Sequence, residues 1–299
     1  MSGTHDAPEN LDSKLKLSLV LNTSFTIFEF IVGFFSGSLA LISDAAHNLT
    51  DSLALVIAFF ASKVAKRSGN LDKTYGYGRV TIIAALFNAT ILVLLAGYIF
   101  FEAYQRFQNP EPVQGGLVMI VAFVGIIING SIAFTFLKNR EDLNTRAAFL
   151  NMAFDTIASI GALLAGLVIL LTGKTIFDPL ISVGIGIMLV FSAWGVVKDG
   201  LHVLLDGVPK NIDVQMVKEA ISKAPGVKGL DDLHVWALST QNAALSGHLV
   251  INDCTLTESV QLVSKIKEML HEKFNISHVT LETELELGPH DKERTDEGV

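Results

Sequence analysis

Ionisable side chains inside long apolar stretches point to a polar interior tied to function, because burying a charge away from water is costly. One apolar stretch holds Asp44-Ala-Ala-His47-Asn48-Leu-Thr50-Asp51. His47 and Asp51 are four positions apart, so on a helix they stack about 40° apart on one face, one turn above the other. A later stretch holds Asn151-Met-Ala-Phe-Asp155, again an i, i+4 pair of nitrogen- or oxygen-bearing side chains. Two helices that each present such a pair could supply four ligands to one ion, and imidazole with carboxylates in a tetrahedral set suits Zn²⁺ at about 2.0–2.2 Å. A single polar residue of this kind serves equally well as interhelical glue or a headgroup contact; it is the two echoing pairs that favour an ion. Asp44, near one end of its stretch, reads as interfacial, and Glu29, Asn22, Asn88 and Asn129 read as packing or water contacts.

The elements that must position these pairs are membrane helices. Half of the 299 residues are hydrophobic, 17% are charged, and the mean hydropathy is +0.48; a soluble domain carries about a quarter charged residues. Six segments reach the length of about 20 residues that a bilayer crossing takes, at 15–36, 39–62, 80–102, 115–137, 147–171 and 177–197. No small-residue cleavage site ends the first of them, so it reads as a retained span rather than a signal peptide. An even number of spans leaves both termini on one side. Lys14, Lys16, Lys63, Lys66, Arg67, Lys73, Arg79, Lys138, Arg140, Arg146 and Lys198 fall in the N-terminal tail, the second and fourth loops, or just after the last span. The other loops offer only Arg106 and Lys174, and the positive-inside rule then makes both termini cytoplasmic.

After Gly207-Val208-Pro209 the character changes. Residues 213–224 have helical spacing and stop at Pro225-Gly226; 228–238 and 244–251 read as strands; 256–274 form an amphipathic helix begun by the capping signal Thr255/Thr257-Glu258; and 277–286 alternate at period two. The expected division is a tail over 1–14, a six-helix transmembrane domain over 15–208, a small α+β domain of order αββαβ over 209–287, and disorder over 288–299. The tail region carries 9 Lys/Arg against 15 Asp/Glu, which argues against nucleic acid as a partner. Cys254 is the only cysteine, so neither an intrachain disulfide nor a thiolate-rich metal cluster can form within one chain.

The run from Ser36 to Asp51 (SGSLALISDAAHNLTD) resembles the second-span signature of the cation diffusion facilitator family. Tyr75-Gly-Tyr-Gly-Arg79, Phe177-Asp-Pro179, Leu204-Leu-Asp-Gly-Val-Pro209 and Leu233-His-Val-Trp236 resemble further motifs of that family, in order along nearly the whole chain. The resemblance implies a dimeric, proton-coupled divalent-metal exporter of the cell's inner membrane, not an enzyme, with six spans and a metallochaperone-like cytoplasmic domain. It places the transport site on His47, Asp51 and Asp155. Asn151 departs from the His usual in the zinc branch; an amide oxygen is a harder, weaker ligand than imidazole, so Mn²⁺, Fe²⁺, Co²⁺ and Cd²⁺ stand beside Zn²⁺. The loop from Lys138 to Arg146 lacks the His-rich insertion of many eukaryotic zinc transporters and fits the bacterial zinc-transporter-like branch. In the tail the family-like metal positions fall on Asp231, His248, Glu282 and Glu284, where Zn²⁺ would act as a regulatory ligand. Glu282 and Glu284 share one strand face, as do Asp232 and His234 if their strand is regular. His202 reads as helix-end packing, and His5, His271 and His290 as solvated. Two rival readings remain: a membrane metal sensor that no longer transports, and an intramembrane enzyme, for which no nucleophile stands at a recognisable spacing.

Overall fold

The computed structural model describes residues 8–136, 143–239 and 242–285. Residues 1–7 of the expected N-terminal tail, part of the fourth loop and the expected disordered segment 288–299 lie outside them. Six helices come first: α1 (Pro8–Ser36), α2 (Leu39–Ala65), α3 (Val80–Gln108), α4 (Gly115–Phe136), α5 (Leu143–Thr172) and α6 (Phe177–Leu204). Helices α2 to α6 contain stretches long and apolar enough to cross a membrane, and the described apolar part of α1, Val20–Ser36, is shorter. Turn chemistry separates them, with Gly37 at φ +71° between α1 and α2 and Gly173 at φ +70° between α5 and α6. Large apolar side chains point outward, Phe35 at 72% exposure and Phe191 at 76%, while Glu29, Asp44, Asn129 and Asp155 are buried. This inversion of the soluble pattern suits a hydrocarbon solvent.

The described residues fall into two compact units, one within Met1–Ile57 and Phe87–Gly195, the other within Ala58–Leu86 and Val196–Val299. In the first, α4 and α5 meet backbone to backbone: a Cβ on Gly115 would lie 2.7 Å from the Gly166 oxygen, and one on Gly166 would lie 2.8 Å from the Gly115 oxygen. Without a hydrophobic force between helices in lipid, such small residues give the close packing that holds them. Phe25 of α1 packs with Val118, Val121 and Ala122 of α4 and Ala162 of α5.

The second unit holds the ends of α2, α3 and α6 together with the C-terminal domain. That domain runs α7 (Val214–Ser222), β1 (Val227–Ala237), β2 (Ala243–Ile251), α8 (Leu256–Phe274) and β3 (Ile276–Glu284). The sheet order is β1-β2-β3, with β1/β2 antiparallel and β2/β3 parallel. Val217 and Ile221 of α7 and Ile266 and Leu270 of α8 close over Val235, Leu245, Leu249 and Ile276 of the sheet. Helix starts follow the sequence signals. Asp213 caps α7, accepting from the Gln215 and Met216 amides, and Thr255 with Glu258 forms the capping box of α8. The Thr255 amide and hydroxyl bonds hold the Glu258 carboxyl below its usual range. Asn275 ends α8 in the left-handed region at φ +56°. Arg79 ties this unit internally: its guanidinium donates to the Asp206 carboxylate and to the Ala237 carbonyl at 3.3 Å. The Ala237 amide in turn donates to the Gly207 carbonyl at 3.2 Å.

Two substitutions test this packing. Gly166→Val should overpack the α4–α5 contact and destabilise the folded protein by about 1–3 kcal/mol, read as a lower thermal midpoint in detergent. Arg79→Gln removes a half-exposed ion pair and should cost no more than about 1 kcal/mol, yet amide exchange at Ala237 should accelerate.

Candidate metal centres

His47 and Asp51 project from one face of α2, with Nδ1 and Oδ1 3.8 Å apart and their side chains 15% and 30% exposed. On α5, Asn151 turns its amide toward the same carboxylate, Nδ2 donating to Asp51 Oδ2 at 3.3 Å. Asp155, one turn further along α5, is 1% exposed, and its Oδ2 has no hydrogen-bond partner; neither does Nδ1 of His47. His47, Asn151 and Asp155 line one cavity of about 380 Å³ between α2, α5 and α6, whose α6 wall includes Ile185, Met188 and Leu189. The structure thus brings the four expected residues of the membrane site together on two facing helices. Open lone pairs on one imidazole nitrogen and one carboxylate oxygen, buried among apolar walls, form a donor set suited to a divalent cation. As the side chains stand, no group of three or more His, Cys, Asp or Glu among the described residues is close-set enough to hold an ion.

Two further carboxylates are buried beside this site. Asp44, expected near a membrane interface, is 2% exposed, lines the same cavity, and has both carboxylate oxygens without a partner. The signal was present, since Asp44, His47 and Asp51 follow the 3–4 spacing of one helix face. Glu29 of α1, expected as a packing or water contact, is 1% exposed, and neither of its carboxylate oxygens has a hydrogen-bond partner. No local pattern in α1 announces that burial.

In the C-terminal domain Asp231 pairs with His248 across β1 and β2, and His248 pairs with Glu282 across β2 and β3. His248 Nδ1 lies 2.9 Å from Glu284 Oε1, both side chains being partly buried. The Asp231 Oδ2 atom is buried without a partner, whereas Glu282 is exposed. Asp231, His248 and Glu284 are therefore contributed by three adjacent strands at neighbouring register positions. Strand β1 is irregular: its register shifts between Asp231 and His234, with Asp232 at φ +48°. Asp232 and His234 nonetheless meet, Oδ1 to Nε2 at 3.0 Å. His202 does more than pack, for its Nε2 bonds to the Val208 carbonyl at 2.8 Å, while His271 is exposed as expected. His5 and His290 lie outside the described residues.

The model of the cation efflux transmembrane domain matches residues 15–205, and that of the cation efflux protein cytoplasmic domain matches residues 209–286. The cation efflux system protein CzcD of Alcaligenes sp. (strain CT14) is 40% identical over 94% of this chain and 89% of its own. The cadmium, cobalt and zinc/H(+)-K(+) antiporter of Bacillus subtilis (strain 168) is 37% identical over 96% of this chain and 94% of its own. The zinc transporter ZitB of Escherichia coli (strain K12) is 32% identical over 95% of this chain and 90% of its own. With both domain models matched in order and relatives of this identity running nearly end to end, the chain is a multi-pass membrane protein that belongs to the cation efflux, or cation diffusion facilitator, family.

Proposed function

We propose that the protein exports a divalent transition-metal ion, zinc foremost, from the cytoplasm in exchange for protons, by alternating access. The observation that carries this reading is the cavity between α2, α5 and α6, where His47, Asn151 and Asp155, with Asp51 beside them, gather inside apolar helices. A metal would be bound by His47 Nδ1, Asp51, Asp155 and the Asn151 amide oxygen, which requires the Asn151 amide to turn its oxygen toward the ion and release Asp51. The names of the relatives support zinc as cargo: one is a zinc transporter, another a cadmium, cobalt and zinc antiporter.

Proton coupling follows from ligand chemistry. Imidazole must be neutral and carboxyls deprotonated to bind metal, so binding releases protons and affinity falls as pH falls. An acidic exterior would discharge the ion by protonating its ligands, and the cytoplasm would reload it. Both termini lie in the cytoplasm on this reading, and two copies assemble as a dimer. Asp231, His248 and Glu284, with Glu282 at the rim, bind a second metal in the cytoplasmic domain. That ion acts as a regulator only to the extent that it binds one conformation better than another. A specific observation favours cargo other than zinc as the second reading: Asn151 offers an amide where a second imidazole would be softer.

Reconstituted protein tests both. Zn²⁺ added to one side of proteoliposomes should drive protons out of the opposite compartment toward the side holding the zinc, and His47→Ala or Asp155→Ala should lower the rate at sub-saturating zinc by about 100-fold or more, as loss of a direct ligand should exceed the 10- to 100-fold cost of losing a supporting group. Flux with Cd²⁺, Co²⁺, Mn²⁺ or Fe²⁺ but none with Zn²⁺ would establish the second reading. No flux with any of these ions would overturn export and leave metal sensing.

A further inference from the structure

The N-terminus of α2 is buried, with Ser38 and Ala40 fully covered and Leu39 at 2% exposure. A helix start leaves four amides without intrahelical partners, and inside a membrane only protein can satisfy them. Here each is accounted for. The Leu39 amide donates to Asp178 Oδ2 at 2.7 Å and the Ala40 amide to Asp178 Oδ1 at 3.4 Å. The Leu41 amide donates to Ser38 Oγ at 3.2 Å, and the Ile42 amide to the Ser38 carbonyl at 3.2 Å. The Ser38 hydroxyl in turn donates to Asp178 Oδ1 at 2.5 Å.

Half of this cap comes from another helix, since Asp178 opens α6. Its carboxylate, 0% exposed, sits where the positive end of the α2 dipole favours an anion. Arg106 of α3 stands 3.6 Å from it and also donates to the Gly37 carbonyl at 2.5 Å. Only glycine suits position 37, where φ is +71° and a Cβ would lie 2.6 Å from the Pro112 carbonyl oxygen. Helices α2, α3 and α6 are thereby fastened around one carboxylate.

The fastening lies in line with the metal cavity. Asp178, Ile185 and Ser192 recur at seven-residue spacing on one face of α6, and Ile185 and Ser192 line the cavity. On α2 the stripe Ala40, Asp44, His47, Asp51 starts at the capped amide and runs into the same cavity. His47 lies about 13 Å along the axis from Ser38. A rotation of α2 by one residue, about 100°, would swing His47 and Asp51 away from α5.

We propose that Asp178 is a positioning residue of the transport site: by capping α2 from α6 it sets the rotation and register of α2, and so holds His47 and Asp51 against α5. The inference rests on the proposed metal site. It is tested in the full-length protein with Asp178→Ala, Asp178→Asn and Ser38→Ala, measuring zinc KM and maximal rate in proteoliposomes and zinc affinity by chelator competition in detergent. Asparagine keeps an oxygen to accept from the Leu39 amide and offers an N–H to Ser38 Oγ where the carboxylate accepted, giving up only the longer Ala40 contact, whereas alanine leaves both amides bare. Asp178→Ala should raise KM and weaken affinity about tenfold, with a smaller fall in maximal rate, and Asp178→Asn should stay within about threefold of wild type. Should Asp178→Ala not fold, Ser38→Ala, which keeps the carboxylate but drops the bridging hydroxyl, should still raise KM about threefold. A folded Asp178→Ala, or a Ser38→Ala, with wild-type KM and affinity would overturn the positioning role, as would an Asp178→Asn as damaged as the alanine variant. Wild-type protein without zinc flux would count against export instead, while detergent affinities would still report on positioning.

Discussion

Everything in the membrane part of this molecule answers to one constraint: ionisable and backbone polar groups removed from water must find partners inside the protein. The outward faces carry phenylalanine and aliphatic side chains, while Glu29, Asp44, Asp155 and Asp178 are turned inward. Such an arrangement is expensive to maintain in hydrocarbon. Two kinds of inward carboxylate result. Asp178 is saturated, with two amides, a hydroxyl and a guanidinium around it. Asp44 and Asp155 keep oxygens without hydrogen-bond donors, which is the state expected of groups whose partner is a cation brought from outside the chain.

The helix packing serves the second kind by means of the first. Glycines 115 and 166 bring α4 and α5 into backbone contact, giving α5 a rigid support from which Asn151 and Asp155 project. Helix α2 has its N-terminus fixed by Asp178 and Arg106, so the imidazole of His47 meets the cavity from the opposite side. The site is thus a meeting of two separately anchored helices. On the proposed reading a small shift of one against the other would change the coordination, and alternating access needs a site of that kind, able to bind in one arrangement and let go in another.

Much of this was legible in the sequence because its signal is local. The membrane helices follow from apolar length, the pairs His47/Asp51 and Asn151/Asp155 from the helical repeat, and α8 from its Thr255–Glu258 box. The αββαβ order of the C-terminal domain follows from periodicity changes alone. What escaped were pairings between residues far apart in the chain. The position of Asp44 along α2 says nothing of the α5 and α6 side chains with which it lines the cavity. Asp178 stood in a recognisable Phe-Asp-Pro run, yet its role depends on amides about 140 residues earlier. The bulge at Asp232 also broke the regular alternation by which the faces of β1 had been assigned. Resemblance to a family suggests metal positions in the tail; the strand register sets Asp231 and Glu282 opposite His248, while the side-chain contact of His248 with Glu284 brings in Glu284 and Glu282 is exposed.

The central claim is that one ion is held inside the helix bundle by His47, Asp51, Asn151 and Asp155. X-ray absorption at the zinc edge tests it most directly, on full-length protein carrying His248→Ala to silence the cytoplasmic site. The account predicts one tightly bound zinc with a first shell of nitrogen and oxygen at about 2.0–2.2 Å, containing a single imidazole, and loss of that imidazole signature in a further His47→Ala variant. A shell with two imidazoles, or one that His47→Ala leaves unchanged, would contradict it.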